Sequence, residues 1–205
     1  SFSHIFENFK QKQTILSSID NGFYIILINT ENNPSNLLNQ LNLLGKEYSF
    51  PLLLSDIFED LYRLNTIYST LKQLLPSLEL LASPTGLVLS GQIMLLNVFE
   101  NLKNSPLKES LLLNEAKILS QRDVKEQSSL AQTLYYWLFC DKEALSTTKA
   151  MGIHRNTLDK RLHKVFECID GEWRSSNYCF RMLFSLYCIL QPQGKLHYIN
   201  KPILQ

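Results

Sequence analysis

Apolar positions in the first hundred residues fall either into short unbroken runs or into stretches at helical spacing. Phe23-Tyr24-Ile25-Ile26-Leu27-Ile28, directly after the turn signal Asn21-Gly22, is β-branched and aromatic and predicts a buried strand. Pro34-Ser35 opens a helical pattern with Leu37, Leu38, Leu41 and Leu44 on one face and Gly45 as its stop. Phe50–Leu54 reads as a second strand, and Leu61, Leu64, Tyr68, Leu71 and Leu75 place a helix from about Phe58 to Leu75, ended by Pro76. A third, weak strand falls at Leu78–Ala82 before the turn Ser83-Pro84-Thr85-Gly86, and Leu87–Lys103 reads as a helix. Strands alternating with helices make this a small α/β unit.

Asn104-Ser105-Pro106 marks the expected boundary, and no strand pattern follows it. Helices are predicted at Leu107–Ser120, Gln127–Cys140, Ser146–Met151, Arg155–Ile169 and Tyr178–Leu190, with residues 191–205 an irregular tail. The expected fold class is therefore α+β: an α/β domain over 1–104 followed by an all-helical domain over 105–190.

Composition changes this picture little. The net charge of +1 and 45% hydrophobic content fit a soluble chain with a real core. Charge is unevenly placed: residues 1–105 carry six Lys/Arg against nine Asp/Glu, and residues 106–205 fourteen against ten. Any polyanion is thus expected to meet the C-terminal half. Cys140, Cys168, Cys179 and Cys188 show no metal spacing and are expected to be free thiols in a reducing cytoplasm. No apolar run reaches the length of a membrane span. The opening Ser-Phe-Ser-His, without an initiator Met, suggests a portion of a longer protein.

The informative stretch runs from Leu145 to Val165. Ser146 suits a helix N-cap, and Gly152, six residues on, suits the left-handed turn that ends a two-turn helix. In the next helix Leu158, Leu162, Val165 and Ile169 recur at i, i+4, i+7 and i+11, a buried stripe. Arg155, Asn156, Asp159, Lys160, His163 and Lys164 take the other face. A short helix, a Gly-containing turn and a second helix with Arg, Lys and Asn outward are what a major-groove reader requires. The bland alternative is an ordinary amphipathic helix with solvated charges.

Ile153-His154-Arg155-Asn156-Thr157-Leu158, followed by Arg161-Leu162, resembles the signature of the PucR/CdaR-type regulators, the purine-catabolism and sugar-diacid family. Leu130-Ala-Gln-Thr-Leu134 and Phe180–Leu190 resemble the helices that flank it there, so the resemblance spans about residues 107–190. Residues 1–105, best at Leu53–Tyr62, are similar in element order to the degenerate cyclase-like domain that precedes it. The resemblance implies a bacterial, cytoplasmic, homodimeric transcription regulator that binds double-stranded DNA, with any small-molecule effector held by a domain upstream. The residues expected at DNA are His154, Arg155, Asn156, Thr157, Lys160, Arg161, His163 and Lys164. Arg161 is left between a phosphate contact and an internal salt bridge.

Two departures stand out. Thr148 occupies the slot, four residues before the turn glycine, where the family places a small Ala. Asp159 puts a negative charge on the reading face; pairing with Arg155 is the default reading, against accepting from a cytosine or repelling phosphate.

A cyclase-like domain also raises catalysis. Asp56, Glu59 and Asp60 resemble at most one metal carboxylate, and the chain has no Gly-Gly pair to position a nucleotide. Helix capping is the expected role of Asp56, and no enzyme activity, cofactor or metal is expected. Trp137, with Tyr135 and Tyr136, is expected in the core rather than as a base-stacking platform. The competing function is a helical dimerisation or interaction module whose helix-turn-helix has lost its DNA target.

Overall fold

The structure is a computed structural model that describes residues 15–20, 23–28, 34–80 and 85–196. The readings at Asn21-Gly22 and Ser83-Pro84 lie outside the described residues. β1 (Ile15–Asp20) pairs antiparallel with β2 (Phe23–Ile28), Asp20 opposite Phe23. The strand predicted at Phe23–Ile28 is present but not buried: Phe23 is exposed and Ile25–Ile28 are half-buried. β1 escapes the sequence pattern because Ile15-Leu-Ser-Ser-Ile-Asp20 keeps neither strict alternation nor an apolar run. Asp20 anchors this hairpin. Its carboxylate accepts from the Tyr68 hydroxyl and, at 2.9 Å, from Lys72 Nζ, and these bonds hold it below the usual carboxylate range.

α1 (Pro34–Glu47) buries Leu37, Leu38 and Leu41 against Leu87. Gly45 does not stop this helix. It is a point of close approach, where a Cβ would lie 2.6 Å from Cα of Gly86 and 2.9 Å from the Phe50 carbonyl. β3 (Pro51–Leu54) pairs in parallel with β4 (Gly86–Leu89), and the connection between them carries α2 (Leu64–Leu74). A 3-10 turn, Leu61–Arg63, precedes α2 and is capped by Asp60, which accepts from Tyr62 N–H at 2.9 Å; Asp56 caps nothing and is exposed.

The third strand is therefore Gly86–Leu89, not Leu78–Ala82, of which Leu78–Leu80 is 3-10 helix and the rest lies outside the described residues. Leu87 and Val88 are buried on both sides, so the four-residue strand merges in sequence with the apolar helix that follows. The α/β part thus has two separate two-stranded sheets among the described residues, not one alternating sheet.

Beyond β4 the described chain is helical: α3 (Ser90–Lys103), α4 (Lys108–Leu111), α5 (Asn114–Glu126), α6 (Leu130–Phe139), α7 (Ala144–Met151), α8 (Arg155–Cys168) and α9 (Ser176–Leu190). The helix predicted at Leu107–Ser120 breaks at Leu112-Leu113, because the Leu113 N–H leaves the helix to donate to the buried Ser185 hydroxyl at 2.9 Å. α9 lies inside, burying Met182, Leu183, Phe184, Ser185, Leu186, Tyr187 and Leu190.

α3 belongs to two cores. Ile93 packs with Leu74 and Val88, and Asn97 donates to the buried Ser77 hydroxyl at 2.8 Å. Two turns on, Phe99 has its ring 5.2 to 5.8 Å from those of Tyr187, Phe184 and Phe180 on α9. The Tyr187 hydroxyl donates to Glu100 at 2.6 Å, and Lys103 bridges Glu100 and Gln191 at 3.1 Å each. Removing the Phe99 ring leaves a cavity in this aromatic stack, so Phe99→Ala should cost about 3–5 kcal/mol. Urea unfolding should show a lower midpoint at unchanged slope. A change near zero, like that expected for the exposed Leu43→Ala, would remove α3 from the helical core.

Candidate nucleic-acid interface

α7 starts earlier than the pattern predicts. Glu143, extended at ψ 119°, is its N-cap and accepts from the Ser146 N–H at 3.2 Å and from the Ser146 hydroxyl. A carboxylate reaches the third N–H from there, which makes Ser146 the capped residue instead of the cap. The helix ends at Gly152, in the left-handed region at φ +62°. Ile153 N–H donates to Thr148 O at 3.1 Å and Gly152 N–H to Lys149 O at 3.4 Å. These two bonds spend the last carbonyls of α7 and turn the chain within Gly152-Ile153-His154.

His154 then caps α8. Its Nδ1 accepts from the Asn156 N–H at 3.2 Å, which places the proton of the neutral ring on Nε2, with the side chain exposed. Leu158, Leu162 and Val165 are buried on α8, and Ile169 just beyond it, as the spacing predicts. Arg155, Asn156, Asp159, Lys160, His163 and Lys164 are exposed, while Thr157 and Arg161 are half-buried at the flank. The first and middle turns of α8 thus bring five of the eight expected residues, Arg155, Asn156, Lys160, His163 and Lys164, onto one open face.

One ion pair and one histidine–carboxylate contact lie along α8. Arg155 Nε is 3.9 Å from Asp159 Oδ2, and His163 Nε2 is 3.3 Å from Glu167 Oε1. Lys160 and Lys164 make no ion pair among the described residues. Of the two alternatives for Arg161, the internal salt bridge is absent among the described residues. Its Nη1 donates to the Thr133 hydroxyl at 3.4 Å, and no carboxylate pairs with it among the described residues. Thr133 is buried and gives its own proton to Ser129 O at 2.7 Å, so its lone pairs face the guanidinium.

Thr147, not Thr148, is the α7 residue enclosed by the neighbouring helices. It is fully buried, its hydroxyl donating to Glu143 O at 2.7 Å, while Thr148 is half-buried and bonds Leu145 O. The added bulk at Thr148 therefore falls at the edge of the helix pair. Trp137 is half-buried against Phe166 and Trp173, with ring centres 5.5 and 6.3 Å away. This cluster continues to Tyr178, whose phenol is pushed up to about 12 chiefly by burial.

Sequence reasoning misses the carboxylate that holds α6. Asp123, buried at the end of α5, accepts from the Leu130 and Ala131 N–H groups at 2.6 and 2.8 Å and from the Ser128 hydroxyl at 2.6 Å. The cap of α6 comes from another helix, so no local motif announces it. Arg122, one residue earlier, donates to Cys168 Sγ and to Glu126 at 2.8 Å, which ties the last turn of α8 to α5.

A Cβ at position 152 would meet nothing within 4 Å, so the cost of Gly152→Ala is conformational: about 1–2 kcal/mol for a left-handed alanine. Gly152→Asn should cost less, since asparagine tolerates that region. Chemical denaturation of both variants checks the ranking, and equal stability of alanine and parent would refute the left-handed turn.

Once this geometry is laid out, comparison with known proteins adds one finding. The family model of the PucR C-terminal helix-turn-helix domain matches residues 130–187, from the first residue of α6 into the last turns of α9. Comparison with curated proteins and with solved structures gives no match to this chain. The matched segment, α6 through α9, is similar to the DNA-binding end of PucR-type regulators.

Proposed function

We propose that this chain is a sequence-specific DNA-binding transcription regulator that reads the major groove with α8. The observation that carries the reading is the open Arg155, Asn156, Lys160 and Lys164 face on a helix fixed by Leu158, Leu162 and Val165 directly after the Gly152 turn. The exposed His154 and the half-buried Thr157 flank the helix N-terminus, whose N–H groups and dipole favour phosphate. Arg155 and Asn156 enter the groove first and contact base edges; Lys160, Lys164 and His163, further along, meet phosphate or mixed positions. Arg161, fastened to Thr133 on one side and without a carboxylate, meets a phosphate with its remaining N–H groups.

The protein acts as a homodimer in the bacterial cytoplasm on two half-sites, since helix-turn-helix operators mirror a two-fold axis. Residues 105–190 form the DNA-binding domain. Residues 1–104 form a degenerate cyclase-like domain without catalytic activity, used for signal relay or dimerisation; α3, packed into both cores, is the element that supports relay. An effector is bound by a domain upstream. No described helix is long and apolar enough to cross a membrane.

The Arg155–Asp159 ion pair on α8 favours a second reading, a helical interaction module, because it neutralises part of the basic face. Salt dependence separates the two. A DNA reader loses affinity for duplex DNA linearly on a log–log plot, by about −0.9 per phosphate contact. Arg155→Ala should cost about 1–3 kcal/mol and relax preference at one base position. Lys164→Ala should weaken binding to all sequences alike and lower the slope by roughly one contact. Folded variants that bind every duplex as well as the parent would end the assignment of α8 as the reading helix.

A further inference from the structure

Asp159 is the one acid in the first two turns of α8. It is the fifth residue of the helix, past the first turn where the dipole favours a carboxylate. It is also exposed on a face that otherwise offers Arg155, Asn156, Lys160, His163 and Lys164. A bare negative charge there repels a polyanion, so its presence calls for a specific partner. That partner is Arg155, one turn earlier, whose Nε lies 3.9 Å from Asp159 Oδ2, the two side chains remaining 76% and 60% exposed.

The atom contacted matters. A guanidinium presents its bidentate fork to guanine O6 and N7 through terminal N–H groups. The recorded contact is at Nε, and no other ion pair or hydrogen bond engages the Arg155 side chain among the described residues. At 3.9 Å the contact is an electrostatic attraction beyond hydrogen-bond distance, which biases a long side chain from its Nε edge and leaves the terminal Nη groups uncommitted. We infer that Asp159 is a specificity-determining positioning residue, holding Arg155 at Nε so that its terminal Nη groups read a guanine edge. This rests on the DNA-reading function of α8.

An exposed pair of this kind adds little stability, so its value is orientation, paid for in non-specific affinity. Asp159→Ala should therefore lower discrimination at the base pair read by Arg155 by about tenfold. Binding to random duplex DNA should be unchanged or tighter. The test selects bound duplexes from a random pool with the full chain, Asp159→Ala, Asp159→Asn, Arg155→Ala and the double alanine variant, each checked for folding by circular dichroism. Salt titrations on random duplex run beside it.

The inference holds if Asp159→Ala and Arg155→Ala lose preference at the same base pair and the double variant loses no more than Arg155→Ala alone. Tighter binding to every duplex with preference intact overturns it, leaving Asp159 as simple repulsion. Lost preference at a different base pair, or a loss that persists in the Arg155→Ala background, overturns it in favour of direct base reading by Asp159. If Arg155→Ala keeps full preference while the parent binds DNA, the positioning role fails and the DNA-binding function stands. If the parent binds no duplex at all, both fall together.

Discussion

Burial of α9 is the constraint on which the helical part depends. A helix with Met182, Leu183, Phe184, Leu186, Tyr187 and Leu190 all inside cannot be served by one neighbour; it needs apolar cover on most of its circumference. α6 and α5 supply two sides, and α3 supplies another with Phe99. Two of the polar groups that come inside with α9 are paired, while the Tyr178 hydroxyl in its first turn is buried without a hydrogen-bond partner among the described residues. Ser185 donates to Arg181 O at 2.7 Å and accepts from Leu113, and the Tyr187 hydroxyl meets Glu100. Unpaired, each would cost the desolvation of a buried polar group. The recognition unit is built on this platform: α6 rests on α9, and α8 rests on α6 through Leu158, Leu162 and Val165.

That arrangement explains which features are readable in sequence. The α8 stripe, the Gly152 turn and the α9 register depend on residues within one or two turns of each other, and periodicity reports them directly. β4 depends on pairing with β3 more than thirty residues earlier, and its Leu87-Val88-Leu89 is indistinguishable locally from the start of α3. Gly45 shows the same limit: at the end of a helical pattern it reads as a stop, whereas its role is to let Gly86 approach. Asp123 is a cap placed by tertiary context and Glu143 one that lies three positions before the favoured Ser146, so residue preference alone mislocates them. Of the interface, the exposed face was legible; the state of each charge on it, paired or unpaired, needed side-chain geometry.

Charge on α8 is arranged rather than simply accumulated. Asp159 and Glu167 each sit one turn after a basic partner, while Lys160 and Lys164, also one turn apart, stay without a carboxylate. Pairs at i,i+4 between exposed groups contribute only a few tenths of a kcal/mol to the helix. Their larger effect is on the field: the Arg155–Asp159 pair leaves the uncompensated positive charge on the Lys160–Lys164 ridge and the flanking Arg161 guanidinium.

The rigidity of this face has its source outside the matched segment. α8 is tied at its start by the His154 cap, along its length by Arg161 to Thr133, and at its end by Arg122 to Cys168. Thr133 is placed by α6, and α6 is placed by Asp123 of α5. α5 and α3 both lie before residue 130, yet each contributes a group without which the recognition helix loses a support. Close-packed interiors transmit displacement instead of absorbing it. A shift of α3 relative to β4 must therefore either be resisted by the Ile93 contacts at one end or felt by Phe184 and Tyr187 at the other. The α/β part and the helical part are packed together through one continuous helix, with Ile93 in one core and Phe99 against α9 in the other.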